Sequence, residues 1–197
     1  MSQDNNFRND THAFLSTLWP DGLPGGKVVV WAKRHEVKNE SGIVTQPGTK
    51  RTKFYENLPL AESDAIRLGN VGFNVYVGVA SQDQDVAVEL TRNPYTRGCN
   101  ASAVAIPAVY VDIDIADGSH KGKNLPPDLD EAMKIIKSIG REPTMVVATG
   151  GGLHAWWCFN EPYIIKDAET RSFAQSLTRS FVHEMKEHAM AVGNYTI

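Results

Sequence analysis

The chain has 197 residues, 20 Lys and Arg against 23 Asp and Glu for a net charge of −3, and 42% hydrophobic content. That is enough to bury one good core arranged in one or two lobes, and it excludes a fibre or a disordered chain. The polar start MSQDNNFRND lacks a signal peptide's apolar segment and no apolar run is long enough to span a bilayer, so the sequence reads as cytoplasmic with no membrane partner.

In chain order, Asn9 to Trp19 predicts a short helix, with Asp10 or Thr11 as N-cap and Phe14, Leu15, Leu18 and Trp19 on one side. KVVVWA, Lys27 to Ala32, predicts a strand. Lys33 to Asn57 is polar and reads mainly as a solvated loop. It holds two basic patches, Lys33 with Arg34, and Lys50, Arg51 and Lys53 followed by Phe54 and Tyr55, a composition that also suits a nucleic-acid backbone with a stacked base. Leu60 to Leu68 predicts a second helix ending at Gly69, Asn74 to Ala80 a second strand, and Ser81 to Ser102 a long excursion. Then come a strand over Pro107 to Ile115, a helix over Asp128 to Gly140, a strand over Thr144 to Ala148, a turn at Thr149 to Gly152, a strand over His154 to Phe159, and a long helix from Asp167 to about Met190. This βαββα order is a split βαβ pattern without its last strand. In the complete pattern the first strand lies between the third and fourth and antiparallel to both, so Asp112 and Asp114 are expected beside His154.

Those two acids are the anomaly of the sequence. In VYVDIDI, Val111, Ile113 and Ile115 share one strand face while Tyr110, Asp112 and Asp114 share the other. The carboxylates are about 7 Å apart by strand rise, and at an effective dielectric near 20 their repulsion is of order 2 kcal/mol. Either water solvates both or a divalent metal is shared between them. An EF-hand is excluded, because its third ligand would fall at Ala116, its glycine at Asp117 and its glutamate at Lys123. A P-loop is excluded as well: Thr149, Gly150, Gly151 and Gly152 are followed by a strand and by no Gly-Lys-Ser/Thr. The two cysteines, Cys99 and Cys158, have no zinc-like spacing and read as reduced thiols. Alone, three glycines are a hairpin turn, a strand histidine is structural, and Trp156 and Trp157 fill cores on opposite faces. Together, two acids ending one strand, a glycine turn and a histidine opening the next form a plausible metal-triphosphate site, with Lys121 and Lys123 placed to neutralise phosphate. A metal-dependent nuclease would share the carboxylates but gives no reason for GGGLH.

In these motifs the sequence resembles the archaeo-eukaryotic primase superfamily, specifically the primase-polymerase (RepB-like primase) domains of phage and plasmid replication proteins. The resemblance runs from the opening helix and KVVVWA through YVGVA, VYVDIDI, HKGKNLPP and ATGGGLHAWW. It implies that Asp112 and Asp114 bind catalytic Mg2+ or Mn2+, and that His154, in the small-any-His motif Gly152, Leu153, His154, contacts the phosphates of the incoming nucleotide. Serine often fills the place of Gly152 in the family. The family's third metal-binding aspartate and its R-x-P-G-T segment are absent from the sequence, which ends at Ile197.

The resemblance gives an α+β expectation: an N-terminal α/β lobe over 1–105 and a ferredoxin- or RRM-like βαββα catalytic lobe over 106–197, truncated before its closing strand. The implied activity is template-directed nucleotidyl transfer from nucleoside triphosphates on single-stranded DNA, in a longer protein continuing into a helicase region. The competing expectation, resting on the missing third acid, is an inactive module that binds nucleotide or single-stranded DNA.

Overall fold

The computed structural model describes the backbone of residues 2–83, 95–118 and 122–197, with side chains from Asn9 onward. It is a mixed α+β chain with antiparallel sheets and two compact units: Met1–Pro107 with Pro162–Lys166, and Ala108–Glu161 with Asp167–Ile197. Two of the three boundaries fall inside strands and the third just before the last helix. Among the described residues no helix is long and apolar enough to cross a membrane.

In the first unit, α1 (Ser2–Leu18) brings Leu15, Leu18 and the following Trp19 into the interior. A three-stranded antiparallel sheet follows, with β1 (Val28–Arg34) at its centre between β4 (Thr49–Tyr55) and β5 (Asn74–Val77). Helix α2 (Leu58–Asn70) starts where the Asn57 side chain accepts from the Leu60 amide at 3.2 Å, with a proline in its first turn. Its Ala61, Ala65 and Leu68 pack on Val28, Val30 and Ala32 of β1, with Tyr55 and Phe73 closing the cluster. Val29, Trp31 and Lys33 therefore belong to the opposite face of β1. β6 (Ser81–Gln82) pairs with the opening residues of β7 (Ala103–Asp114), reaching only to Ala105.

The stretch from Lys33 to Asn57 corrects the loop expectation. β1 continues through Lys33 to Arg34, β2 (Val37–Lys38) and β3 (Val44–Gln46) form a small hairpin, and β4 spans the second basic patch. The physical reason is tertiary: a buried central strand needs its backbone groups paired on both sides, and TKRTKFY supplies the ladder despite its charge. Helix α2 also runs one residue past Gly69. The expected excursion over Ser81 to Ser102 contains β6, and its residues 84–94 lie outside the described residues.

In the second unit β7 lies beside β9 (Gly152–Ile164), which pairs with the edge strand β8 (Met145–Ala148) in antiparallel register, Val147 opposite His154 and Ala148 opposite Leu153. Helices α3 (Leu129–Ser138) and α4 (Ala168–Gly193) cover one face of these strands. Val109, Val111 and Ile113 of β7 and Leu153 and Ala155 of β9 meet Ile135 and Ile136 of α3 and Phe181, Met185 and Ala189 of α4 there. Both helices begin at readable caps. The Asp128 side chain accepts from the Glu131 amide at 2.9 Å, and Asp167 and Thr170 form a reciprocal capping box. Trp157 joins this core edge-on to Phe181, while Trp156 lies on the other face, as alternation requires.

Candidate functional site

The face of β7 and β9 turned away from the helices carries the singular residues. With Val111 and Ile113 in the core, Tyr110, Asp112 and Asp114 must point the other way, and with Leu153 and Ala155 in the core, so must His154 and Trp156. The pairing of the two strands sets Asp112 against His154, with Asp112 Oδ1 3.2 Å from Nε2. It also stacks Tyr110 on Trp156 with ring centroids 4.5 Å apart, and places the Tyr110 ring edge-on to the His154 imidazole at 6.2 Å. Asp112 is exposed, whereas Asp114 and His154 are half-buried. The tyrosine-tryptophan stack is a wall beside the histidine whose register across the two strands was not legible in the sequence, although both residues sit two positions from a singled-out one.

The glycine turn is fastened to the end of the acid-bearing strand. The Ile115 amide donates to Gly151 O at 2.9 Å, and the Thr149 amide to Gly152 O at 3.0 Å. Gly152 is buried so closely against β7 that a Cβ there would stand 2.1 Å from Ile113 O and 3.0 Å from Asp114 Cα. A side chain at this place would have to push apart two backbones. Gly150 has φ +89° and open space around it, so its conformation and not its surroundings calls for glycine. Thr149 and Gly150 are exposed at the tip of the turn.

The lysines are less informative. Lys121 lies outside the described residues. Lys123 is exposed in the loop after β7, and what engages there is backbone: Lys123 O accepts from the Thr196 hydroxyl and Asn124 O from the Thr196 amide at 2.9 Å. The loop also returns toward β7 through Ala116 N donating to Pro126 O at 2.9 Å.

Asp112, Asp114, His154 and the turn are thus neighbours, as the strand order led one to expect. Among the described residues no group of three Asp, Glu, His or Cys side chains is arranged to hold a metal ion. Asp112 and Asp114 are the residues here that could hold a hard divalent cation, whose remaining ligands would be phosphate oxygens and water, the usual habit of Mg2+ in nucleotide enzymes.

The second basic patch is divided by strand alternation. Arg51 and Lys53 fall on the α2 side of β4, where Arg51 and Arg34 approach the Phe73 ring (5.6 and 4.9 Å) and Lys53 lies over Tyr55 (4.8 Å). The Tyr55 hydroxyl donates to Asp64, which also accepts from Arg67 Nε at 3.0 Å. Burial and then the bond to Asp64 push the Tyr55 phenol above its ordinary range. Burial acts to raise the Asp64 carboxyl too, but the Tyr55 and Arg67 hydrogen bonds and the charges of Arg67 and Lys53 outweigh it and hold Asp64 below the ordinary carboxylate range. Lys50 falls on the opposite face.

Comparisons of the chain with protein-family models, with curated proteins and with solved structures found no match.

Proposed function

We propose that the second unit is the nucleotide site of a primase-polymerase, a template-directed nucleotidyltransferase acting on nucleoside triphosphates and single-stranded DNA. The observation that carries this reading is the convergence of Asp112, His154 and the Gly150 to Gly152 turn at one end of one sheet face, with the imidazole 3.2 Å from the carboxylate. The order strand, helix, strand, strand, helix, with β7 next to β9 and β9 next to β8, supports a ferredoxin- or RRM-like catalytic lobe, with the first unit as an N-terminal α/β lobe.

In this reading Asp112 and Asp114 would hold Mg2+ or Mn2+, which when bound would neutralise the charge of a triphosphate during its transfer. Asp112 Oδ1, 3.2 Å from His154 Nε2, would accept a proton carried there and so hold the ring. In the imidazolium form, Nδ1–H is then the donor left for a phosphate oxygen. The open space around Gly150 leaves the exposed tip of the turn accessible to the same triphosphate, and the Tyr110–Trp156 stack limits how the imidazole can turn away.

The test is Mn2+-dependent binding of a labelled deoxynucleoside triphosphate, followed by extension of a primed template, by the wild-type chain and by an Asp112→Ala, Asp114→Ala double variant. Binding that the folded double variant loses is the expected result. Equal binding by both, or none by the wild type, overturns the assignment.

A second reading, a module that binds nucleotide without catalysis, is favoured by the lack of a third metal-ligating side chain among the described residues. It predicts metal-dependent binding with no extension, whereas the primase-polymerase reading requires both.

A further inference from the structure

The first unit has a second chemically loaded sheet face. On the side of β1 away from α2, the register sets Trp31 between Thr52 of β4 and Tyr76 of β5, Lys33 between Lys50 and Asn74, and Val29 opposite Phe54. Trp31 and Tyr76 have ring centroids 4.9 Å apart, and the Arg97 guanidinium lies over the Trp31 ring at 5.0 Å. Tyr76 is 44% exposed, and Lys50 and Arg97 are exposed as well. None of these strand positions carries Asp or Glu, although the chain as a whole is acidic.

Two of these features are costly unless a ligand answers them. Lys33 and Lys50 are directly opposed across an antiparallel pair, where like charges destabilise a sheet. An exposed tyrosine beside a tryptophan leaves ring surface in water. A strand of unpaired nucleotides answers both: its bases stack on aromatic faces whatever their sequence, and its phosphates run along the cations. A duplex cannot offer its bases, and an apolar protein segment would bury the lysines without partners.

We infer that the face formed by Trp31, Tyr76, Lys33, Lys50 and Arg97 is a binding platform for single-stranded DNA. The choice of DNA rests on the primase-polymerase reading, for which this face supplies a template grip; the stacking and charge argument does not depend on the metal site.

The test is fluorescence anisotropy of a labelled oligothymidylate of about 20 nucleotides, titrated with the chain in EDTA without nucleotides, in parallel with labelled duplex of the same length. The wild type should bind the single strand more tightly than the duplex. Tyr76→Ala should weaken it at least about fivefold, the low end of one lost base stack. A Lys33→Gln, Lys50→Gln double variant should reduce the slope of log affinity against log salt by about 1.4, or 0.7 per phosphate contact. Because Trp31 is half-buried, the decision rests on Tyr76 and the two lysines, whose variants are checked by thermal melting. No single-strand binding by the wild type, preference for duplex, or unchanged binding by both folded variants overturns the platform. Such a result beside intact triphosphate binding removes this face and leaves the nucleotide reading; the reverse removes that reading and leaves the face.

Discussion

Two sheet faces of this chain are built alike and charged oppositely. On β7, Asp112 and Asp114 stand two residues apart along one strand, with Tyr110 and Trp156 stacked beside them. On β1 and β4, Lys33 and Lys50 stand opposed across two strands, with Trp31 and Tyr76 in contact beside them. In both, helices bury the alternate residues of the same strands, so the like charges cannot be moved without inverting the core pattern. The lesson is that same-sign charge was tolerated twice at positions where a single substitution would have relieved it. On the readings proposed above, a cation would answer the acidic face and phosphates the basic one, beside the His154 imidazole already 3.2 Å from Asp112.

The largest expected effect that would break this comparison is on activity. On the proposed reading, Asp112→Ala with Asp114→Ala should reduce template-directed extension by at least about a thousandfold, while the variant keeps a cooperative thermal transition. A marked fall in melting temperature would mean that the acids are structural and that the two faces are not analogous.

Next in size is the turn. Gly152→Ser should cost about 2–4 kcal/mol in urea unfolding, because its Cβ meets the Ile113 carbonyl and not a yielding side chain. Gly150→Ala has room and loses only its backbone conformation, at about 1 kcal/mol. Equal costs at the two positions would remove the close approach as the reason for glycine.

The hydrogen-bonded group of Tyr55, Asp64 and Arg67 sharpens the comparison by showing what a satisfied charge looks like in this chain. Asp64→Asn should cost about 1–2 kcal/mol near neutral pH. Since the folded-state pKa of Asp64 lies below its ordinary value, its stabilisation is whole above that ordinary value and drains away as pH falls through the lowered one. Urea melts of the wild type should therefore lose part of their stability at acidic pH, and those of Asp64→Asn should lose less.

The smallest effect has the most telling sign. Lys33→Glu turns a like-charged cross-strand pair into an opposite one and should raise stability by about 0.5 kcal/mol while weakening single-strand binding. A variant that is both less stable and unchanged in binding would separate the lysines from any ligand.

The second unit was largely legible in the sequence because its signals are local. Asp128 and Asp167 announce helix starts, apolar alternation fixes which face of VYVDIDI is buried, and the strand order then brings Asp112 to His154. The first unit was less so. TKRTKFY carries no apolar alternation that marks it as a strand, and its pairing depends on the central strand it completes. The Trp31–Tyr76 contact joins residues 45 apart through a register no spacing rule supplies, and Arg97 reaches them from another segment. The reason for Gly152 was equally hidden, since an approach between two backbones leaves no mark on composition.

The bond from the Ile115 amide to Gly151 O ties the last turn of the acid strand to the glycine hairpin. That single proton is a built-in reporter. Its exchange with solvent deuterium requires the hairpin to lift from the strand, so its protection measures how often the turn opens, and any slowing on adding a nucleotide would read occupancy without label or turnover.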